Sequence, residues 1–120
     1  MIGLGNNTHI FARAQRREGL RYIFEELLRV TVLTVQHPGM AETMLVVRFP
    51  NGGSLSIEFT PDAADSDEPR FDCWLELRSV EPRATIEILS GADIREVKHA
   101  GHPYYFMAPG GQVFTIVQGP

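Results

Sequence analysis

Apolar side chains recur along the chain with two different periods, and these periods divide its first half into a helix and strands. Five apolar residues between Leu20 and Leu28 follow the spacing i, i+3, i+4, i+7, i+8 of one helix face, which predicts an amphipathic helix over residues 15–28. Runs of β-branched or alternating apolar residues predict the flanking strands. These strands are predicted at residues 8–13, 30–36, 43–49 and 54–60. The first half is therefore predicted to run β-α-β-β-β.

The second half repeats this order. A helix is predicted from Pro82, which suits a first helical turn, to Ser90, with Gly91 ending it. A turn of Pro50-Asn51-Gly52-Gly53 precedes the last strand of the first half, and Pro109-Gly110-Gly111 precedes that of the second. The strands of this half are predicted at residues 72–78, 94–98, 104–107 and 113–118.

An acidic segment with two prolines, residues 61–70, separates the halves and is predicted to be an exposed linker. The chain is thus interpreted as one domain, residues 1–120, with module one at about 8–60 and module two at about 71–118. The predicted fold class is α+β, with two tandem βαβββ modules forming a curved mixed sheet around a cleft and helices on the outer face. Such clefts hold small ligands.

Composition excludes several classes of function. The 120 residues are 43% hydrophobic and 22% charged, which is typical of a globular domain. The net charge of -4 and the scattered lysines and arginines argue against nucleic acid as a partner. No apolar run approaches a membrane span and no signal peptide is indicated, so no membrane is expected as a partner. The lone Cys73 lies in an apolar run, is expected to be buried, and suits the reducing cytoplasm, where the protein is expected to work.

Short motifs in both halves resemble the vicinal-oxygen-chelate superfamily, which includes glyoxalases, bleomycin-resistance proteins and extradiol dioxygenases. Thr8-His9-Ile10 and Ile57-Glu58-Phe59-Thr60 resemble the first and fourth strands of that superfamily's first module. Trp74-Leu75-Glu76-Leu77-Arg78 and the run from Tyr105 to Val117 resemble the second module, although Ala108 stands where its usual aspartate precedes the proline. The resemblance covers residues 8–118 and implies the predicted fold.

The same resemblance implies four positions for a divalent metal: His9, Glu58, Trp74 and Thr115. An imidazole and a carboxylate are ordinary metal ligands, so His9 and Glu58 are suitable. Trp74 is unsuitable because an indole nitrogen only donates hydrogen bonds, and Thr115 offers a weak neutral oxygen. Two ligands are fewer than the usual three of a catalytic site, so no cofactor is predicted, with His9 and Glu58 as the pair a divalent metal would use.

A ligand pocket is predicted to survive without the metal. Trp74 and Phe11 offer aromatic faces on which planar or apolar ligands stack, and acidic, histidine and hydroxyl side chains supply polar contacts. Tyr104 and Tyr105 begin one strand, so their rings point to opposite sides, and the sequence does not decide which points to the pocket. The predicted ligand-binding residues are His9, Phe11, Glu58, Trp74, Glu76, Tyr105 and Thr115. His99 and His102 have a His-x-x-His spacing but fall in an apparent turn, which predicts a solvated loop.

Three functions follow from these observations. The first is a metal-independent protein that binds a small organic molecule. The second is a metal-dependent lyase, isomerase or dioxygenase in which His9 and Glu58 act with a third ligand, or as acid and base without metal. The third is a component of an assembly whose cleft has lost its function. The resemblance also implies a homodimer, and the sequence does not decide whether any reaction is catalysed.

Overall fold

The chain runs through the predicted βαβββ order twice, and the two repeats form two separate units. The computed structural model describes all 120 residues, and they divide into Met1–Ala64 and Asp65–Pro120. Each unit contains one four-stranded mixed sheet and one helical segment. The predicted α+β class and the two similar modules are therefore confirmed.

The first unit orders its strands β1-β4-β3-β2. Strands β1 and β4 are parallel and the other neighbours are antiparallel. The strands are β1 (Asn7–Ala12), β2 (Thr31–Val35), β3 (Met44–Arg48) and β4 (Ser54–Phe59).

The second unit repeats this arrangement with the order β5-β8-β7-β6. Strands β5 and β8 are parallel, and β7 pairs antiparallel with both β8 and β6. The strands are β5 (Leu75–Ser79), β6 (Glu96–Val97), β7 (Tyr105–Met107) and β8 (Val113–Gln118).

The predicted first helix is present but changes its geometry along its length. A 3-10 turn at Ala14–Arg16 leads into α1 (Arg17–Arg21), and a π-helical segment follows at Tyr22–Leu27. The amide of Val30 donates to the carbonyl of Phe24 at 3.0 Å, which satisfies a carbonyl at the end of the helix. The helix predicted over residues 15–28 is therefore confirmed in its position, and its hydrogen-bond pattern changes along its length. Apolar periodicity reports which face is buried and does not distinguish the three hydrogen-bond patterns.

One face of the first sheet packs on this helical segment. Strand β4 alternates buried apolar residues with partly buried polar ones, as its sequence predicts. The buried residues of the helical segment and β4 are Leu20, Ile23, Phe24, Leu55, Ile57 and Phe59.

The second helix, α2 (Pro82–Gly91), confirms the weaker helix prediction despite its β-branched residues. Its Leu89 is fully buried, and the rings of Phe106 and Phe114 stack with centroids 5.4 Å apart in the core of this unit. Tertiary packing of the buried Leu89 therefore helps this segment to form a helix despite its modest helix propensity.

Two predictions near the start of the second unit were wrong. Strand β5 begins at Leu75, three residues later than predicted, and Cys73 is exposed rather than buried. The Cys73 amide donates to the Asp72 carboxylate at 2.7 Å, and its carbonyl accepts from the Gln112 side chain at 2.5 Å. These bonds fix the backbone ahead of β5 in an orientation that turns the thiol outward.

Part of the predicted exposed linker is docked. The amide of Ser66 donates to the carbonyl of Gly110 at 3.1 Å, and the amide of Arg70 donates to the carbonyl of Gly111 at 2.9 Å. The residues after Asp65 thus pair with the Pro109-Gly110-Gly111 turn and belong structurally to the second unit. Neither of the two helical segments is both long enough and apolar enough to cross a membrane.

Candidate functional site

The first sheet presents a polar face opposite its helix, defined here by His9, Phe11, Ser56 and Glu58. Side chains two residues apart on a strand share a side, so His9 and Phe11 both project from this face of β1. The strand register places Ser56 beside His9 and Glu58 beside Phe11. His9 and Phe11 therefore lie on the same side of the sheet.

His9 and Glu58 form a hydrogen-bonded pair on this polar face. His9 Nε2 lies 2.9 Å from Glu58 Oε1, and their side chains are 44% and 26% exposed. The rings of His9 and Phe11 lie 5.0 Å apart at a tilt of 38°. Pairs between exposed side chains add little to the free energy of unfolding, so folding does not depend on the His9–Glu58 pair. Both side chains also remain accessible to a ligand.

The second sheet presents an aromatic face, defined here by Trp74, Glu76, Tyr105 and Thr115. The register places Thr115 between Glu76 and Tyr105 on neighbouring strands. Trp74 lies just before β5, and its ring centroid is 5.1 Å from that of Tyr105 with the planes inclined at 58°. Val97, Val113 and Met107 pack with these rings in one apolar cluster, given by Val97, Tyr105, Val113, Trp74 and Met107.

Hydrogen bonds hold the aromatic face in position. Trp74 Nε1 donates to the carbonyl of Arg70 at 2.6 Å, which fixes the indole beside the docked linker. Thr115 is buried, and its hydroxyl donates to the backbone carbonyl of Tyr104 at 2.7 Å. The Thr115 hydrogen is therefore already used within the protein, and only its oxygen lone pairs remain for a ligand.

Tyr105, rather than Tyr104, lies on the aromatic face, which answers the question that the sequence left open. Tyr104 lies on the opposite side, where its hydroxyl is buried without a hydrogen-bond partner of good geometry, although the Ser90 side chain is near. Burial raises the pKa of the Tyr104 phenol, the Glu96 carboxylate raises it further, and Ser90 acts in the opposite direction.

Replacing Tyr104 by phenylalanine is expected to raise the free energy of unfolding by about 1 kcal/mol, because a buried hydroxyl without a partner is removed. In the wild type, Tyr104 ionises at a lower pH in the unfolded chain than in the folded protein, because folding raises its pKa. Stability should therefore fall as the pH rises above about 10, the ordinary tyrosine pKa, and Tyr104→Phe should lessen that fall. Urea unfolding across this pH range measures both effects. Tyr105→Phe is the control, and equal behaviour of the two variants would contradict the assignment.

His99 and His102 are exposed in a loop, as predicted, but they contact the aromatic face. The His99 ring lies 4.9 Å from Trp74, edge to face, and the His102 ring lies 5.9 Å from Tyr105. His102 Nε2 also lies 4.0 Å from a Glu76 carboxylate oxygen. Sequence reasoning missed the contacts with Trp74 and Glu76 because they join residues about 25 positions apart in the chain. The adjacent tyrosines that follow the loop were the only local signal.

The strand registers place the four positions that the resemblance implies in two equivalent pairs, one in each module. Glu58 lies beside Phe11 on β1, and Thr115 lies beside Glu76 on β5. His9 lies two residues before Phe11, and Trp74 lies two residues before Glu76. The first module therefore places an imidazole and a carboxylate at these positions, whereas the second places an indole and a hydroxyl.

This donor set does not fit a divalent metal held by three protein ligands. His9 and Glu58 are the only ordinary ligands among the four positions, and no group of three or more His, Cys, Asp or Glu side chains comes together anywhere in the chain. The Trp74 N–H cannot coordinate, and the Thr115 hydroxyl offers only a weak neutral oxygen.

Comparison with protein-family models gives no match to the sequence, and comparison with curated proteins gives none. Solved structures do match the fold. TnmS3, an antibiotic binding protein from Streptomyces sp. CB03234, superposes with a TM-score of 0.69 at 20% identity, covering 99% of this chain and 98% of that one. The fosfomycin resistance protein FosX from Mesorhizobium loti gives 0.72 at 11% identity, covering 100% and 94%.

A third match is a member of the glyoxalase/bleomycin resistance protein/dioxygenase superfamily from Sphaerobacter thermophilus, with a TM-score of 0.69 at 13% identity, covering 98% of both chains. Identities this low establish the fold and leave the function open. The near-complete coverage in both directions shows that the likeness includes both βαβββ modules. The chain therefore has the fold of the vicinal-oxygen-chelate superfamily.

Proposed function

We propose that the protein binds a small organic molecule without a metal, and that the ligand stacks on the aromatic face. The observation that carries this proposal is the contact of Trp74 with Tyr105 at a position where a metalloenzyme of this fold would need a ligand. An indole cannot coordinate a metal but offers a large flat surface. The substitution therefore favours stacking over coordination.

The surroundings of these rings favour a planar ligand with polar substituents. Glu76 and His102 are about half exposed beside the rings and supply a carboxylate and an imidazole. A mostly apolar surface with a few placed polar groups is the usual composition of a small-molecule site. TnmS3, which shares the fold, is an antibiotic binding protein, and this supports a small organic molecule as the ligand.

The remaining predicted contacts, Thr115 and the first module's His9, Phe11 and Glu58, are retained as proposed ligand contacts. We also propose a homodimer that works in the cytoplasm. The open edges of both sheets leave unpaired backbone groups, which favour pairing with a second copy. Light scattering coupled to a sizing column tests the dimer independently of ligand binding.

The proposed binding can be tested through the intrinsic fluorescence of Trp74, the only tryptophan in the chain. A panel of planar aromatic compounds, including anthraquinone, quinoline and coumarin derivatives, is titrated in the presence of EDTA. We expect saturable quenching or a spectral shift with at least one member, unchanged after zinc, nickel, manganese or ferrous iron replaces EDTA. Binding that requires one of these metals would contradict the proposal.

A metal-dependent lyase, isomerase or dioxygenase is the second candidate, and the His9–Glu58 pair is the observation that favours it. Its two potential ligands already lie 2.9 Å apart, but a third would have to come from outside the groups described. Elemental analysis of wild type and His9→Ala after metal soaking separates the candidates. About one equivalent of metal that disappears in His9→Ala would favour the enzyme.

A further inference from the structure

A solvent-open depression lies at one end of the first sheet, next to the four residues that define the polar face and on the same side of the sheet. Its volume is about 380 Å3, and it is lined by Asn7, Arg48, Phe49, Gly52, Gly53 and Ser54. We propose that this depression, called the Arg48 pocket below, binds the carboxylate of a small aromatic acid. This proposal does not depend on the ligand proposed for the aromatic face.

Arg48 is the only charged residue of the pocket. Its guanidinium makes no hydrogen bond or ion pair within the protein. Three other arginines of the same module are engaged: Arg13 with a backbone carbonyl, Arg17 with a carbonyl and Glu42, and Arg21 with a hydroxyl. No aspartate or glutamate lines the pocket, although acidic residues outnumber basic ones in the chain, 15 to 11. The pocket therefore concentrates an uncompensated positive charge on an acidic protein.

Neighbouring donors point to an anion with acceptor oxygens. The register aligns Asn7, Ser54 and Arg48 in one row across β1, β4 and β3. The Ser54 hydroxyl donates to Asn7 Oδ1 at 2.6 Å, so the Asn7 side-chain oxygen is occupied and its two N–H groups remain as donors. A guanidinium and an amide that only donate match a carboxylate, which only accepts and pairs with arginine through two parallel hydrogen bonds.

Phe49 favours an aromatic group on that acid. Phe49 lines the pocket, and its ring packs edge-on against Phe24, with centroids 6.4 Å apart, so the ring is held in place. Gly52 and Gly53 form the adjacent turn without side chains, and nothing lies within 4 Å of the position a Gly52 side chain would occupy. The pocket thus offers an apolar wall and open space beside the guanidinium.

The test uses the full chain labelled with 15N and benzoate as the probe. In amide-correlation NMR spectra, we expect saturable shifts at the Asn7 side chain and at the backbone amides of Gly52 and Gly53. Arg48→Gln should weaken benzoate binding roughly tenfold or more, because a charge-assisted hydrogen bond is lost. Arg48→Lys should retain part of the affinity, since it keeps the charge but not the planar pair of donors.

Two controls make the outcome decisive. Benzamide has the same ring without the charge and should cause no saturable shift at the pocket. Arg83→Gln removes an exposed arginine from α2 and should leave the benzoate affinity unchanged. Equal benzoate affinity in wild type and Arg48→Gln, or equal shifts with benzamide, would overturn the proposal. Arg48 is exposed, so its replacement should leave the fold intact. The same spectra verify this, because amide signals away from the pocket should keep their wild-type positions in the variants.

Discussion

Gly111→Ala is expected to destabilise the protein by about 3–5 kcal/mol, since it combines backbone strain with a steric clash. Gly111 has φ of +95°, and a side chain there would lie 2.7 Å from the carbonyl oxygen of Glu68 and 2.8 Å from Arg70 Cγ. The nearer atom is backbone, so the docked linker itself would have to move. Urea unfolding followed by circular dichroism measures the loss.

Gly52→Ala is the matched control for this prediction. Gly52 has nearly the same φ, +94°, but nothing lies within 4 Å of the position of the added carbon. Its expected cost is therefore the conformational term alone, about 1–2 kcal/mol. Equal losses in the two variants would show that contact between residues 65–70 and the Pro109-Gly110-Gly111 turn does not limit stability.

A second readout connects this turn to the aromatic face. Arg70 donates its amide to Gly111 and accepts the indole hydrogen of Trp74 on its carbonyl. Displacement of Arg70 should therefore loosen Trp74, and the fluorescence of folded Gly111→Ala should shift to longer wavelength while that of Gly52→Ala stays unchanged. The turn thus positions the side chain on which the proposed ligand stacks.

The sequence predicted the strands well because their signals are local. Strand β4 alternates polar and apolar residues without interruption, so one phase of the pattern identifies Ser56 and Glu58 as neighbours on the polar face. Strand β8 begins and ends at the predicted residues, 113–118, because a glycine turn precedes it and apolar residues fill it. The repetition of the order β-α-β-β-β then determines which strands pair.

Contacts between segments that are distant in the chain could not be predicted from local sequence patterns. The docking of Arg70 on Gly111 and the contact of His99 with Trp74 join segments about 40 and 25 residues apart, where no period of two or 3.6 applies. Cys73 looked apolar in context, yet it is exposed, and its backbone N–H and carbonyl are held by the side chains of Asp72 and Gln112. The candidate site was predicted at the level of strand positions, and its surrounding loop was not.

The duplicated fold explains why the strand positions could be predicted at all. Each module places two such side chains on the face opposite its helix, one on or just before its first strand and one on its last strand. A position identified in one module therefore implies a position in the other. The chemistry at those positions is free to change while the fold persists. Here the first module carries the hydrogen-bonded pair His9 and Glu58 at these positions, and the second carries the aromatic ring of Trp74.

Trp74→Ala is expected to weaken binding of the tightest planar compound from the fluorescence panel by about 10- to 100-fold, the usual effect of removing one stacking surface. Trp74→Phe should lie between the wild type and Trp74→Ala, because it keeps a smaller ring but loses the indole donor to Arg70. Isothermal titration calorimetry measures all three affinities, since the variants lack the fluorescent reporter. Circular dichroism verifies that each variant is folded before its affinity is interpreted.

Phe71→Ala is the matched control, because it removes a ring that also contacts Trp74 but lies outside the apolar cluster. Phe71 is 83% exposed, and its centroid lies 5.7 Å from that of Trp74. Its loss should change the affinity less than about threefold, as expected for an exposed contact. Wild-type affinity in folded Trp74→Ala would exclude the aromatic face as the binding site, whereas a graded loss from tryptophan through phenylalanine to alanine would show that the ring surface itself holds the ligand.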